Sequence, residues 1–370
     1  MSRAGIVGLG LWLPETVRRN DAWPESFVRA FREERERRKT VDLTHVDRVD
    51  GERPFEELFL RHATPFDDDP FKGAVERRIA SCDEPVAECD ARAARLALRD
   101  AGIRPEQVDL IVSSAVLPDQ ASAPNAPAIQ ELVGCRNAAG IGVESFCSSS
   151  ISQLELAASL VEAGRAKYVL CVQSHIVNRA NLLEYPSSPI FGDASSAFVV
   201  GEVEPQHGLL HVVRGGDGSL FGAVTWQYAK TPNAAWWRDA EGPVYPGTAH
   251  RDRLQTLVRN CLRYPIETIR GLCMEAKASL DEIAAIATVQ PLAWWQAAVA
   301  DGLGIARERI PSTYRRYGHL GGAGVIANLI EARETGQLQD GSLAILCAHG
   351  AGITRYAALI RWTSRAHRTS

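Results

Sequence analysis

The sequence predicts an α/β protein made of two equivalent β-α-β halves. Three observations carry that prediction. From Glu84 onward, short apolar β-prone runs alternate with amphipathic stretches of helical period, and Gly- or Pro-rich turns separate them. Second, Ala101-Gly102-Ile103-Arg104-Pro105-Glu106-Gln107-Val108, between a helix and a strand, is echoed by 276–283, also between a helix and a strand. Third, Leu160-Val161-Glu162-Ala163 runs into the strand at 168–171 as Leu329-Ile330-Glu331-Ala332 runs into 343–347. The repeat divides the chain into halves, 1–205 and 206–370, with a charged insertion at about 24–75.

With 370 residues, 45% of them hydrophobic, the chain can bury a large core. A net charge of -4 and a pI near 6.2 carry no polyanion-binding signature, so nucleic acid is not expected as a partner. The eight cysteines fall singly, without the C-x-x-C spacing of a zinc or redox site. Reduced thiols, a cytoplasmic location and no metal are therefore expected. The apolar run 4–14 contains three glycines and no small-residue cleavage site, so it reads as a first strand rather than a signal peptide, and no stretch approaches a membrane span.

In order along the chain, Gly8-Leu9-Gly10 sits in that first strand, and Leu13-Pro14-Glu15 breaks any dinucleotide fingerprint it suggests. Residues 29–39 mix arginine and glutamate and predict a helix laced with i,i+4 pairs; the segment is either a solvated face or a lid or docking insertion. Asp67-Asp68-Asp69 reads as a loop. A helix at 91–101, a strand at 108–116, a Pro-rich loop and a helix into Gly134 follow. Buried strands are expected at 167–174 and 195–203, with irregular chain between them. Residues 215–251 read as loop and hairpin, and 253–278 as one long amphipathic helix.

The run 140–147 ends at Cys147, where a helix with apolar positions Ile151, Leu154, Ala158 and Val161 begins. A cysteine at a helix N-terminus meets unpaired N–H groups and the positive end of the dipole, which favour a thiolate nucleophile. An inert buried thiol fits the same local pattern. If the halves are equivalent, the counterpart of that helix contains 325–333, and Tyr317-Gly318-His319-Leu320-Gly321-Gly322 opens it. Face-to-face packing would then bring Cys147 and His319 together as a thiolate–imidazole pair.

Four motifs in matching order resemble the ketosynthase III family of the thiolase superfamily. They are the N-terminal Gly-Leu-Gly-x-x-Leu-Pro, the Cys147 turn, Phe191-Gly192-Asp193-Ala194-Ser195-Ser196-Ala197, and His349-Gly350-Ala351-Gly352-Ile353-Thr354. The resemblance implies a five-layer α-β-α-β-α thiolase fold and a homodimer. It also implies that Cys147 accepts an acyl group from a coenzyme A or acyl-carrier-protein thioester, with the backbone N–H groups of Cys147 and Ala351 as oxyanion hole. No tightly bound cofactor is expected; the thioester is substrate.

The departures narrow the chemistry. The family's His in His-Gln-Ala-Asn falls on Val289, or on Gln290 with a shift of one, and its Asn in His-Gly-Asn falls on His319. Decarboxylative condensation needs two donors on the thioester carbonyl, whereas acyl transfer needs a thiolate, an oxyanion hole and one base. The expected activity is therefore acyl transfer to an oxygen, nitrogen or carbon nucleophile, with Cys147 and His319 catalytic, in specialised metabolism. The alternatives are a decarboxylative ketosynthase and a non-catalytic thiolase-fold partner subunit. Val289, Gln290, His349, His175, Phe191 and Trp294 are the pocket candidates. His349 stands where the family shows phenylalanine and either orients His319, lines the acceptor pocket or simply packs. Trp294, like Trp295, Trp226, Trp236 and Trp237, is either a core or loop anchor or a ligand platform. Trp294 also stands where the family carries a carrier-docking arginine, for which Arg251, Arg253, Arg259 and Arg263 are substitutes. Asp193 reads as a structural turn residue.

Overall fold

The computed structural model describes residues 3–39, 53–179, 183, 185–232, 240–351 and 353–363. The first half supplies β1 (Arg3–Trp12), β2 (Val17–Arg19), α1 (Glu25–Lys39), α2 (Arg53–Ala63), β3 (Glu76–Arg78), α3 (Val86–Ala101), β4 (Leu110–Ala115), α4 (Ala126–Val133), β5 (Ala139–Gly142), α5 (Ser149–Glu162), β6 (Tyr168–His175) and β7 (Ala194–Val203). The second supplies β8 (Gly208–Gly216), β9 (Thr225–Tyr228), β10 (Val244–Gly247), α6 (Arg251–Asn260), α7 (Arg263–Ala276), β11 (Ile283–Thr288), α8 (Trp295–Leu303), α9 (Tyr314–Tyr317), α10 (Ala323–Glu334), β12 (Leu343–His349) and β13 (Thr354–Arg361).

One sheet has the order β1-β7-β6-β4-β5 and the other β8-β13-β12-β11, so strand for strand the second repeats the first without a counterpart of β5. In each, the strands joined through a crossover helix are parallel and the outer pair is antiparallel. Helices α5 and α10 lie between the sheets. Ile151 and Leu154 of α5 and Val325, Ile326 and Leu329 of α10 form one buried cluster with Val112, Val169 and Val200 from one sheet and Ala285, Leu346 and Ala358 from the other. Helices α3 and α4 cover the outer face of the first sheet, and α7 and α8 that of the second. The layering is the five-layer α-β-α-β-α arrangement expected.

Glycines in β1 serve this packing. A Cβ on Gly10 would lie 2.3 Å from the Ala93 carbonyl oxygen and one on Gly8 2.4 Å from that of Ala97. The Gly-x-Gly pair thus lets the alanine-rich α3 settle directly on β1, which accounts for the motif without a nucleotide.

Two expectations need correction. The long helix at 253–278 is two helices, α6 and α7, broken around Cys261 and Leu262. Pro265 lies in the first turn of α7, where its missing N–H costs nothing; within a continuous helix its ring would clash with the preceding turn. The charged insertion is more than a solvated face. Its helix α2 buries Leu58 with the α7–α8 core, sets Phe59 edge-on to Trp294 at 5.3 Å, and brings His62 Nε2 within 2.9 Å of Asp301 Oδ2 on α8. Trp236, Trp237 and part of the insertion lie outside the described residues.

Candidate active site

Cys147 sits in a single 3₁₀ turn, Phe146–Ser148, immediately before α5. The turn is held from its own neighbours. The Glu144 carboxylate accepts the Phe146 N–H at 2.6 Å and the Ser149 hydroxyl at 2.8 Å, while the Ser145 N–H donates to Ser149 Oγ at 2.9 Å. Phe146 adopts a φ of 53°, a left-handed conformation that costs a bulky residue about 1–3 kcal/mol. Ser148 Oγ reaches the Thr354 carbonyl at 3.3 Å and ties the turn to the second half. There Gly350 backs directly onto it: a Cβ at Gly350 would lie 2.2 Å from the Ser145 carbonyl oxygen. Ala351 is the next residue in the chain.

His319 is positioned by remote segments. Its N–H donates to the Ile190 carbonyl at 2.7 Å and its carbonyl accepts the Gly192 N–H at 3.2 Å, forming a parallel bridge around Phe191. The ring Nδ1 lies 3.2 Å from the Gln290 carbonyl oxygen, so Nδ1 carries the proton and donates it there. Nε2 is thereby left as a lone pair, 3.8 Å from Cys147 Sγ. His175 is fixed in the same way, with Nδ1 donating to the Gly192 carbonyl at 2.9 Å, and its ring lies 5.5 Å from that of His319.

The expected thiolate is not the resting form. Burial, with the Glu144 charge adding to it, pushes the Cys147 thiol up to about 12, and the backbone N–H at the turn only partly opposes this. Burial, the neighbouring His175 and His349 likewise hold His319 down to about 3, against the Gln290 carbonyl, which favours the cation. Desolvation outweighs the helix terminus, and the pair rests as neutral thiol and neutral imidazole. Proton transfer from Sγ to Nε2 is available when a reacting carbonyl takes up the charge.

The other candidates separate. Phe191 borders the site, its ring 5.7 Å from His319 and 5.6 Å from His175. Val289 prolongs β11 through an N–H bond to the Cys347 carbonyl and packs in the central cluster. Gln290 serves through its main chain; its side-chain amide turns away, donating to the Pro311 carbonyl at 2.6 Å and accepting from Ser312 Oγ at 2.8 Å. Trp294 packs against Phe59 and Trp295 in the outer core, so the reading as an anchor fits its surroundings. The His349 ring lies tilted 5.4 Å from Trp295 and, among the described residues, makes no hydrogen bond to His319, so it does not orient that ring. Asp193 accepts N–H groups from Ala80, Val177 and Asn178, a structural knot at the end of β6.

Sequence reasoning missed Glu144 and the Gln290 carbonyl. Glu144 stands three residues before Cys147 and five before Ser149, a readable spacing; a main-chain carbonyl leaves no side-chain signal. Among the described residues, no group of three or more His, Cys, Asp or Glu side chains is arranged to hold a metal ion, and no helix is long and apolar enough to cross a membrane.

Family profiles bear on both sides of this site. That for 3-oxoacyl-[acyl-carrier-protein] synthase III matches residues 141–218, around Cys147, and that for its C-terminal region matches 273–362, around His319. The beta-ketoacyl-[acyl-carrier-protein] synthase III of Roseiflexus sp. (strain RS-1) is 31% identical over 294 residues, 79% of this chain and 88% of its own. The chain belongs to the ketosynthase III family. The synthase III of Geobacillus kaustophilus, 28% identical, aligns over 97% of this ketosynthase III-family chain and 99% of its own. The crystal structure of 3-oxoacyl-[acyl-carrier-protein] synthase III from Aquifex aeolicus superimposes with a TM-score of 0.75 at 23% identity, covering 98% of this chain and 100% of that one. The ketosynthase III-family fold is therefore the thiolase fold.

Proposed function

We propose that this ketosynthase III-family protein moves an acyl group from a coenzyme A or carrier-protein thioester to Cys147, and from there to an oxygen, nitrogen or carbon nucleophile. The observation that carries the reading is the free Nε2 lone pair of His319 at 3.8 Å from Cys147 Sγ, with Nδ1 anchored behind it. In the first step Sγ attacks the thioester carbonyl as its proton passes to Nε2. The carbonyl oxygen becomes an oxyanion, received by the N–H groups of Cys147 and Ala351. Collapse expels the donor thiolate, which takes the proton from His319. In the second step the acceptor gives its proton to Nε2 as it attacks the acyl-cysteine, and the Cys147 thiolate leaves and is reprotonated.

Val289 supplies no donor where the family's catalytic imidazole falls, which favours transfer over decarboxylation. The names of the curated relatives favour the alternative, condensation to a new carbon–carbon bond. Malonyl thioester decides between them: carbon dioxide release with a β-keto product would sink the transfer reading. A non-catalytic partner role predicts that Cys147→Ala keeps full function in the intact pathway. The decisive measurement is intact mass with candidate thioesters: wild type gains an acyl group, Cys147→Ala gains none, and His319→Ala loads slowly and discharges poorly.

Placement in specialised metabolism is supported by the departures at Val289 and His319. A homodimer is supported by β5, an edge strand whose Ile141 is exposed. Carrier docking is supported by Arg251 and Arg259 on the exposed face of α6, and a cytoplasmic location by eight free cysteines.

A further inference from the structure

Flanking the segment that backs onto the Cys147 turn are polar side chains that the catalytic steps do not use. Cα register pairs His349 of β12 directly with Arg355 of β13, so the two side chains share one face of the sheet. It is the face of Cys347 and Ala357, which pack into the outer core with Trp295. The His349 ring lies 5.4 Å from Trp295, and the Arg355 guanidinium stands over Tyr264 at 5.0 Å. Gly215, the β8 partner of Arg355, leaves room: a Cβ there would come within 3.3 Å of Arg355 Nη2.

Among the described residues, three nitrogens in this group are buried without a hydrogen-bond partner: Trp295 Nε1, His349 Nδ1 and Arg355 Nε. Trp295 is only 1% exposed, and Arg355 forms no ion pair among the described residues. An unpaired buried donor costs about 1–3 kcal/mol, and three beside one another mark a place that a ligand completes. Indole and guanidinium nitrogens only donate, and a neutral imidazole can present Nδ1–H. The missing partner is thus an acceptor, and the uncompensated guanidinium makes it an anion. Gly350, which follows His349, and Thr354, which precedes Arg355, both meet the Cys147 turn, at the Ser145 carbonyl and at Ser148 Oγ. His349 is also near enough to His319 to oppose its protonation, which sets the group close to the proposed pair.

We propose that Arg355, Trp295 and His349 form a carboxylate subsite that selects a substrate bearing a free carboxyl group, on the acyl chain or on the acceptor. This rests on the acyl-transfer reading and sharpens it. A carboxylate held by a guanidinium and two N–H donors is stabilised as the anion, and losing carbon dioxide would forfeit that stabilisation. A dicarboxylic acyl group would accordingly be transferred intact.

Titration of the unacylated protein with succinate and with neutral succinamide tests the subsite without any chemistry at Cys147. Succinate should bind, succinamide should not, and Arg355→Met should lose the succinate signal. Intact-mass initial rates with succinyl-CoA and butyryl-CoA then locate the carboxylate. If it belongs to the acyl group, wild type prefers succinyl-CoA by about tenfold or more, and the ratio collapses toward one in Arg355→Met and Trp295→Phe. If it belongs to the acceptor, the loading ratio is near one, but lactate discharges the acyl-enzyme faster than methyl lactate, and Arg355→Met erases that difference. Arg355→Lys, with circular dichroism melting of every variant, guards against misfolding: it should keep part of the preference. The subsite is overturned if succinate binds no better than succinamide, or if a preference survives in both Arg355→Met and Trp295→Phe. Failure of every thioester to load Cys147 would instead sink acyl transfer, while the succinate titration still decides the subsite.

Discussion

The two central helices begin in opposite ways. The turn before α5 is braced by side chains within a few residues of Cys147, namely Glu144, Ser145 and Ser149. The turn before α10 is braced by main-chain groups far away in sequence, at 190–192 and 290, which set both the backbone and the ring of His319. The same fold element thus carries a proposed nucleophile whose support is local and a proposed base whose support is tertiary. Damage near Cys147 should act through charge and the local turn, whereas damage to His319 should act through geometry imposed by other segments.

The sharpest break removes one side of the pair. Cys147→Ala should abolish acyl loading, a loss of about 10³-fold or more, read by intact mass with a thioester donor. His319→Asn restores the family's residue at that position; it removes the base from both steps, so loading and discharge should each slow, by about 10²–10⁴-fold, read by single-turnover transfer. Carbon dioxide release from malonyl thioester by that variant would show that Asn alone suffices for decarboxylation here.

A milder change tests the local support. Glu144→Gln keeps an acceptor for Phe146 N–H and Ser149 but removes the charge that adds to the rise of the Cys147 thiol. The variant thiol should titrate at lower pH and react several-fold faster with iodoacetamide near pH 8, about the effect of one nearby charge. An unchanged alkylation profile would assign the rise to burial alone.

The smallest effect is on pH dependence. Burial holds His175, His319 and His349 down to about 4, 3 and 4, so each stays neutral in the folded protein well below the ordinary histidine range. The acid limb of transfer should therefore fall below pH 5 rather than near 6.5. For stability the sign is the same: between pH 6.5 and about 4 the unfolded chain binds protons that these histidines refuse, so stability falls as pH drops through that window. Asp90, fully buried and raised to about 7, acts oppositely between its ordinary value and 7, since the folded state holds its proton there. The Glu144 and Asp193 carboxyls, also raised by burial, act in the same sense as Asp90; the three histidines should still outweigh them, a net loss measurable by denaturant melts at pH 7 and pH 4.5. Asp90→Asn should steepen it.

The sequence by itself determined the α/β class and the repeat, and it pointed to Cys147 and His319 as the proposed pair. These follow from periodicity and from residue types at matching positions, which are local properties. Helix ends were less secure: apolar periodicity alone carried 253–278 through as one helix, and only packing of α6 and α7 as separate units made Pro265 a helix start. Tertiary structure alone decided the protonation of the pair, because desolvation of Cys147 and His319 is a property of the closed interface and outweighs the favourable helix end. It alone decided the orientation of His319, since a carbonyl at Gln290 has no signature in residue type. And it alone gathered Trp295, His349 and Arg355, spread over three elements, into one group of unpartnered donors, because hydrogen-bond satisfaction can be judged only once every neighbour is in place.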